Sequence, residues 1–222
     1  VDHILKAVDD DLGALSYAVA AMGDLAVAQV RASVDVFARH DLPAAEKVVR
    51  ADNAVDLQDA EIEKNAVRFI ALRQPMADDL RRPIAAMKIA MQLERCGDLA
   101  KNIAKRVPRL DRAPTEAQAA SISELGRLVA DRLAAVIAAY RSNDAQGAYE
   151  VWVKDTDIDE RHEGVVREIV AAMAAAPDSV GDSIHLLFIA KNLERIGDHA
   201  TNVAELVHYQ ITGTDLANRP KL

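Results

Sequence analysis

Eight carboxylates in this chain stand in pairs four residues apart, and the pairs fall into two matching sets. Glu94 and Asp98 are followed at the same step by Asn102, and Glu194 and Asp198 by Asn202. These residues lie inside a repeat: 89–104 read IAMQLERCGDLAKNIA and 189–204 read IAKNLERIGDHATNVA. Between 87–106 and 187–206, ten of twenty positions are identical. On a helix, positions i, i+4 and i+8 share one face. Like charges at that spacing destabilise a helix by about 0.2–0.5 kcal/mol per pair. Packing can give two helices one apolar pattern, but it does not require both to keep Glu, Asp and Asn in step. The arrangement therefore suits oxygens placed for a cation. The plainer reading is a solvated acidic face. Leu93 and Ile89 on one side and Gly97 and Ala90 on the other set the stripe beside or within the packed face.

A second set lies upstream in each half. Asp52 and Asp56 are four apart, as are Asp155 and Asp159. Val48-Val49-Arg50 precedes one pair and Val151-Trp152-Val153-Lys154 the other, and Val55 aligns with Ile158. If the stripes face each other, four carboxylates converge in each half. Bare charges 4 Å apart repel by about 4 kcal/mol at an effective dielectric of 20. Such carboxylates must be protonated, matched by Lys or Arg, or bridged by metal. Oxygen-only ligands select hard cations such as Mg, Mn, Ca or ferric iron, with Zn admissible. The expectation is one metal site per repeat: Asp52, Asp56, Glu94 and Asp98 in the first, and Asp155, Asp159, Glu194 and Asp198 in the second. Asn102 and Asn202 are further candidates, as ligands or as groups that hold a liganding carboxylate in place. Glu63 and Glu163 extend the upstream stripes and rank below the pairs.

The elements that must position these groups are helices. Of 222 residues, 50% are hydrophobic and only 4% aromatic, a composition that favours helix. The spacing predicts six helices and no strand. The first runs from about 4 to 37, and Asp41 caps a second, with Pro43 in its first turn, that reaches about 72. Gln74-Pro75 breaks the chain, and a third helix begins near 78 or 79, with a late start or a kink at Pro83. Residues 108–114 form a linker with two prolines. Thr115 and Gln118 have the pattern of a capping box. The fourth helix ends at Ser142-Asn143-Asp144. The fifth runs to about 175, Pro177-Asp178-Ser179 breaks it, and the sixth ends near Thr212-Gly213. The expected architecture is all-α: two tandem three-helix bundles, 1–107 and 115–213, with a frayed tail at 214–222. Short connections force neighbouring helices to run antiparallel.

The formal charge of −8 argues against nucleic acid as a partner, since a phosphate backbone requires a basic face. One cysteine precludes an intrachain disulfide and points to a reducing, cytoplasmic setting. The chain, which begins at Val1, opens on no secretory signal pattern, and no apolar run of membrane-spanning length is expected.

The stretches ERCGDLAKNIA and ERIGDHATNVA resemble the paired signatures of the PhoU family, regulators of bacterial phosphate uptake. IALRQP at 70–75, Asp79-Leu80-Arg81 and Asp52-Asn53-Ala54-Val55-Asp56 are also similar to that family. The resemblance spans nearly the whole chain. It implies a cytoplasmic, non-enzymatic regulator that forms homodimers and binds iron or zinc through Glu/Asp-x-x-x-Asp motifs, which fall on the four pairs above. It further implies an adaptor between the ATPase of the phosphate ABC transporter and a phosphate-sensing histidine kinase, reaching the membrane only through partners and repressing the phosphate-starvation response.

Two other classes compete. A ferritin-like carboxylate-bridged di-metal enzyme needs Glu-x-x-His, but Gly97 and Gly197 stand at that place and cannot ligate. A metal-free helical scaffold would leave the stripes as solvated faces. No phosphate-binding glycine loop, Ser-His-Asp set or Cys-His set is visible. Cys96 aligns with Ile196 and reads as a small core residue. His162 is a weak extra ligand candidate, and Arg95 and Arg195 are expected to pair with a neighbouring helix.

Overall fold

The computed structural model describes residues 2–216, and the side chains among them other than those of residues 2–6, 78 and 177. The rest of the expected tail, 217–222, lies outside the described residues. Among the described residues the chain is helical throughout, with no strand. Six rods are present, and the fifth is broken. The first half comprises α1 (Asp2–Ala38), α2 (Leu42–Arg73) and α3 (Asp78–Arg106). The second comprises α4 (Glu116–Ser142), α5 (Ala145–Val153), α6 (Thr156–Ala175) and α7 (Val180–Thr212).

The helix ends follow from local chemistry. The Asp41 carboxylate accepts from the Ala44 N–H at 3.0 Å, and Pro43 stands in the first turn of α2. Asp144 accepts from the Gly147 N–H at 2.9 Å. Thr115 and Gln118 form the reciprocal capping box, at 3.3 and 2.9 Å. Each cap satisfies an N–H that has no partner inside its helix. Gly213 ends α7 with φ of 73°. α3 opens at Asp78, within the expected start, and continues through Pro83, so of the late start or kink expected there the late start is absent.

The two halves meet along α1 and α4 and along α3 and α7. An added Cβ on Gly23 would stand 2.4 Å from Ile137 Cδ1, and one on Gly126 would stand 2.4 Å from Val34 Cγ2. Both pairs of positions, 23 with 126 and 34 with 137, are separated by 103 residues. Each glycine is thus the hole for an aliphatic side chain of the opposite half, and α1 and α4 are equivalent elements packed on each other. The buried residues form one continuous cluster that includes Phe37, Leu93, Leu133 and Ile196. The two bundles therefore share a core.

Two expectations are corrected. The stretch from Ala7 to Ala38 is long and apolar enough to cross a membrane, with a mean hydropathy of 1.3 over its best window. Half of that window is buried, and Leu15, Val19, Met22, Ala26 and Val30 lie in the core, so the apolarity serves packing. The middle rod of the second half, expected as one helix, breaks at Lys154 and Asp155. The turn is tightened by bonds from Asp157 N to Lys154 O and from Ile158 N to Asp155 O, at 3.4 and 3.1 Å. Arg132 of α4 reaches the break. It is 8% exposed, donates to the Val151 carbonyl at 3.3 Å and pairs with Asp157 at 3.2 Å. A carbonyl in the last turn of α5 gains a donor from another helix.

Candidate metal centre

The repeated glycine of each signature sets the spacing between middle and last helix. Gly97 and Gly197 are buried. A Cβ on Gly197 would lie 2.9 Å from Ile158 Cδ1, and one on Gly97 3.2 Å from both Val55 Cγ1 and Asp52 Oδ1. Without a side chain at these positions, α2 settles onto α3 and α6 onto α7. The acidic pairs ride on those same faces.

In the second repeat this approach gathers Asp159 of α6 with Glu194 and Asp198 of α7. Each offers an oxygen, and the three lie within 4.8 Å of one another. Asp159 and Asp198 are exposed and Glu194 is half-buried, so the group is open to solvent. Lys191 pairs with Glu194 at 2.7 Å. Asp155, the fourth expected member, is 5% exposed and accepts from the Thr201 hydroxyl at 2.6 Å. Solvent reaches Asp198, yet the packed helices around it partly desolvate its carboxyl, and this first, then the charges of Glu194, Asp155 and Asp159, pushes it up to about 6, with Lys191 opposing. His162 stands within the field of Glu194 and Asp159. Burial outweighs their pull and lowers its pKa, which favours the neutral form that ligates metals.

The first repeat is arranged differently, and the equality expected of the two halves does not hold. Lys101 Nζ donates to Asp98 Oδ1 at 2.5 Å and to Asp52 Oδ2. Gln29 Nε2 donates to Asp52 Oδ1 at 2.9 Å. The Asp52 side chain is 3% exposed and that of Lys101 20%. The hydrogen bond from Lys101 holds the Asp98 carboxyl below the usual carboxylate range, against the opposing effect of burial. Burial likewise disfavours the Lys101 charge, but its bonds to Asp52 and Asp98 prevail and raise its pKa. Glu94 and Asp56 are shifted up, chiefly by burial. Among the described residues, three carboxylate oxygens come together only in the second repeat.

Asn102 and Glu63 are exposed. Asn202 donates to Gln92 of α3 at 3.3 Å, and His199 meets the same Gln92 oxygen at 2.7 Å. Glu163 pairs with Arg167 at 3.4 Å. Arg95 pairs with Glu94 at 3.5 Å and lies 4.0 Å from Asp98 on its own helix, and its charge also acts on Asp59 of α2. Cys96 is fully buried, and burial pushes its thiol up, away from the reactive thiolate. Lys101, Thr201 and Gln29 are the functional residues that the acidic pattern does not reveal. The pointer to two of them is the repeat itself, which sets Lys101 opposite Thr201.

Three carboxylates from two helices, open to solvent, suit a hard cation. The second repeat fits a metal. In the first, the Lys101 ammonium bridges Asp52 and Asp98.

Comparison with known proteins agrees with this architecture. The PhoU domain matches residues 19–107 and again 122–207. A Caulobacter vibrioides protein named phosphate-specific transport system accessory protein PhoU homolog is 47% identical over 223 residues, covering 100% of this chain and 97% of that protein. A Xylella fastidiosa protein of the same name is 41% identical, covering 96% of this chain and 90% of its own. The crystal structure of PhoU from Pseudomonas aeruginosa superimposes with a TM-score of 0.87 at 31% identity, covering 93% of this chain and 99% of that one. With both halves matched by the same domain and both signatures in place, the chain belongs to the PhoU family.

Proposed function

We propose that this chain is a metal-binding cytoplasmic regulator of phosphate uptake and of the phosphate-starvation response. In this reading it is an adaptor, not an enzyme. It connects the ATPase of the phosphate ABC transporter to a phosphate-sensing histidine kinase, and it works as a homodimer. The observation that carries the reading is the full-length match, at 47% identity, to a relative named as an accessory protein of the phosphate-specific transport system. The net charge of −8 is compatible with docking on basic patches of such partners, an association that salt would weaken.

Asp159, Glu194 and Asp198 would hold the metal. The family resemblance favours iron or zinc, and the oxygen-only donor set also admits Mn, Mg or Ca. A cation there would neutralise three carboxylates and tie α6 to α7, so its role in this reading is to fix the geometry of the second repeat. The ferritin-like alternative gains no support, since the places where its histidines would stand are Gly97 and Gly197, both packed under the middle helices.

Deleting the gene should switch on a starvation-responsive reporter while phosphate is plentiful. An unchanged reporter in the deletion strain would remove the adaptor reading. Complementation with Asp198→Asn then separates signalling from metal: full repression by this variant would assign the metal to structure rather than to signalling.

A further inference from the structure

We propose that Lys101 stands in for a metal ion in the first repeat, so that the chain takes metal only in the second. The inference deepens the metal reading above and rests on it for the second repeat alone.

The argument is geometric. Lys101 and Thr201 occupy the same position, three residues after Asp98 and Asp198. That step keeps each on the acidic face of its helix. The lysine ammonium bridges Asp52 and Asp98, which come from the two helices that must cooperate in any cation site. The equivalent threonine bonds Asp155 and its own helix, at the Gly197 carbonyl, and adds no charge. Gln29 takes the second oxygen of Asp52, so both oxygens of that carboxylate are engaged. An incoming metal would have to displace a tethered cation and leave it largely buried beside another positive charge. Tethering favours the ammonium further, because its effective concentration at the site is fixed by the chain. In the second repeat no lysine follows Asp198 at this step; Lys191 pairs with Glu194 alone from a side chain that is 55% exposed, and the three carboxylate oxygens converge.

The test is titration with Mn²⁺, read in two ways. Elemental analysis after equilibration should give about twice as much manganese per chain in Lys101→Thr as in the natural protein. Equal content in a folded variant would overturn the inference. Removing the cation from buried Asp52 strains the fold, so the second reading keeps Lys101. Asp198→Asn should abolish manganese binding, and Asp98→Asn should leave it in place. Loss of binding in a folded Asp98→Asn with binding kept in Asp198→Asn would overturn the inference whatever the Lys101 variant does. Manganese bound by Lys101→Thr and not by the natural protein would support the role of Lys101 and sink the second-repeat site. Binding in neither protein would overturn both.

Discussion

Asp98 and Asp198 stand at the same place in the repeated helix, and their carboxyls are shifted in opposite directions. A hydrogen bond from Lys101 holds Asp98 down, whereas burial and the charges of Glu194, Asp155 and Asp159 push Asp198 up to about 6. One sequence motif thus supports two electrostatic states. The first is neutralised by a residue of the chain. In the second the carboxylates act on one another, with Lys191 opposing.

Substituting each aspartate by asparagine in metal-free protein should therefore move stability in opposite directions. The depressed Asp98 contributes stability above its unfolded value, and that stability is lost as pH falls through the lower folded value. Asp98→Asn should lower the melting temperature at pH 7. The raised Asp198 favours folding below the ordinary 3.8 and loses that benefit as pH climbs to about 6. Asp198→Asn should raise the melting temperature at pH 7 in chelator, and the gain should vanish near pH 4. Thermal melts of both variants at the two pH values check this, and shifts of the same sign would refute it.

Metal affinity in the second repeat should fall in acid. A bound cation requires the Asp198 carboxylate, and below about 6 the proton competes for it. The apparent dissociation constant for Mn²⁺ should rise about tenfold per pH unit below that point, as for one competing proton. Calorimetric titrations between pH 5 and 7.5 provide the slope. A flat profile would mean that Asp198 is not a ligand.

The fold is legible in the sequence wherever its causes are local. Asp41, Asp144 and the Thr115–Gln118 box announce helix starts because a cap acts within a few residues of itself. The break at Lys154 and Asp155 is not legible, since its stabilising partner, Arg132, comes from another helix. The site follows the same rule. The acidic pairs stand out by spacing, but whether their charges are matched depends on Gln29, Lys101 and Thr201, whose bonds to Asp52 and Asp155 cross between helices. The electrostatic difference between the repeats is a tertiary property written in two aligned differences, Lys101 with Thr201 and Gln29 with Arg132.

Gly197→Ala tests the approach of the helices. The new methyl would meet Ile158 Cδ1 at 2.9 Å, and Ile158 immediately precedes Asp159. Overpacking of this kind costs about 1–3 kcal/mol. Denaturant unfolding should show that loss, and Mn²⁺ affinity should drop with it as Asp159 is displaced from Glu194 and Asp198. Gly97→Ala meets its neighbours at 3.1–3.2 Å and should cost less. Unchanged stability together with unchanged metal affinity in Gly197→Ala would contradict the packing account.

Arg132→Ala should destabilise the second repeat selectively. The 103-residue offset that relates Gly23 to Gly126 sets Arg132 in register with Gln29, and both side chains reach the middle helix of their own half. Truncation removes the donor from the Val151 carbonyl in a poorly solvated place. Leaving such a group unpaired costs about 1–3 kcal/mol. Hydrogen exchange should accelerate at the amides of α5 and the start of α6, while those of α2 keep their protection. Arg132→Gln should recover part of the loss, because an amide at the equivalent place already serves the unbroken α2. Uniform acceleration across both repeats would show instead that Arg132 supports the shared core, not the break.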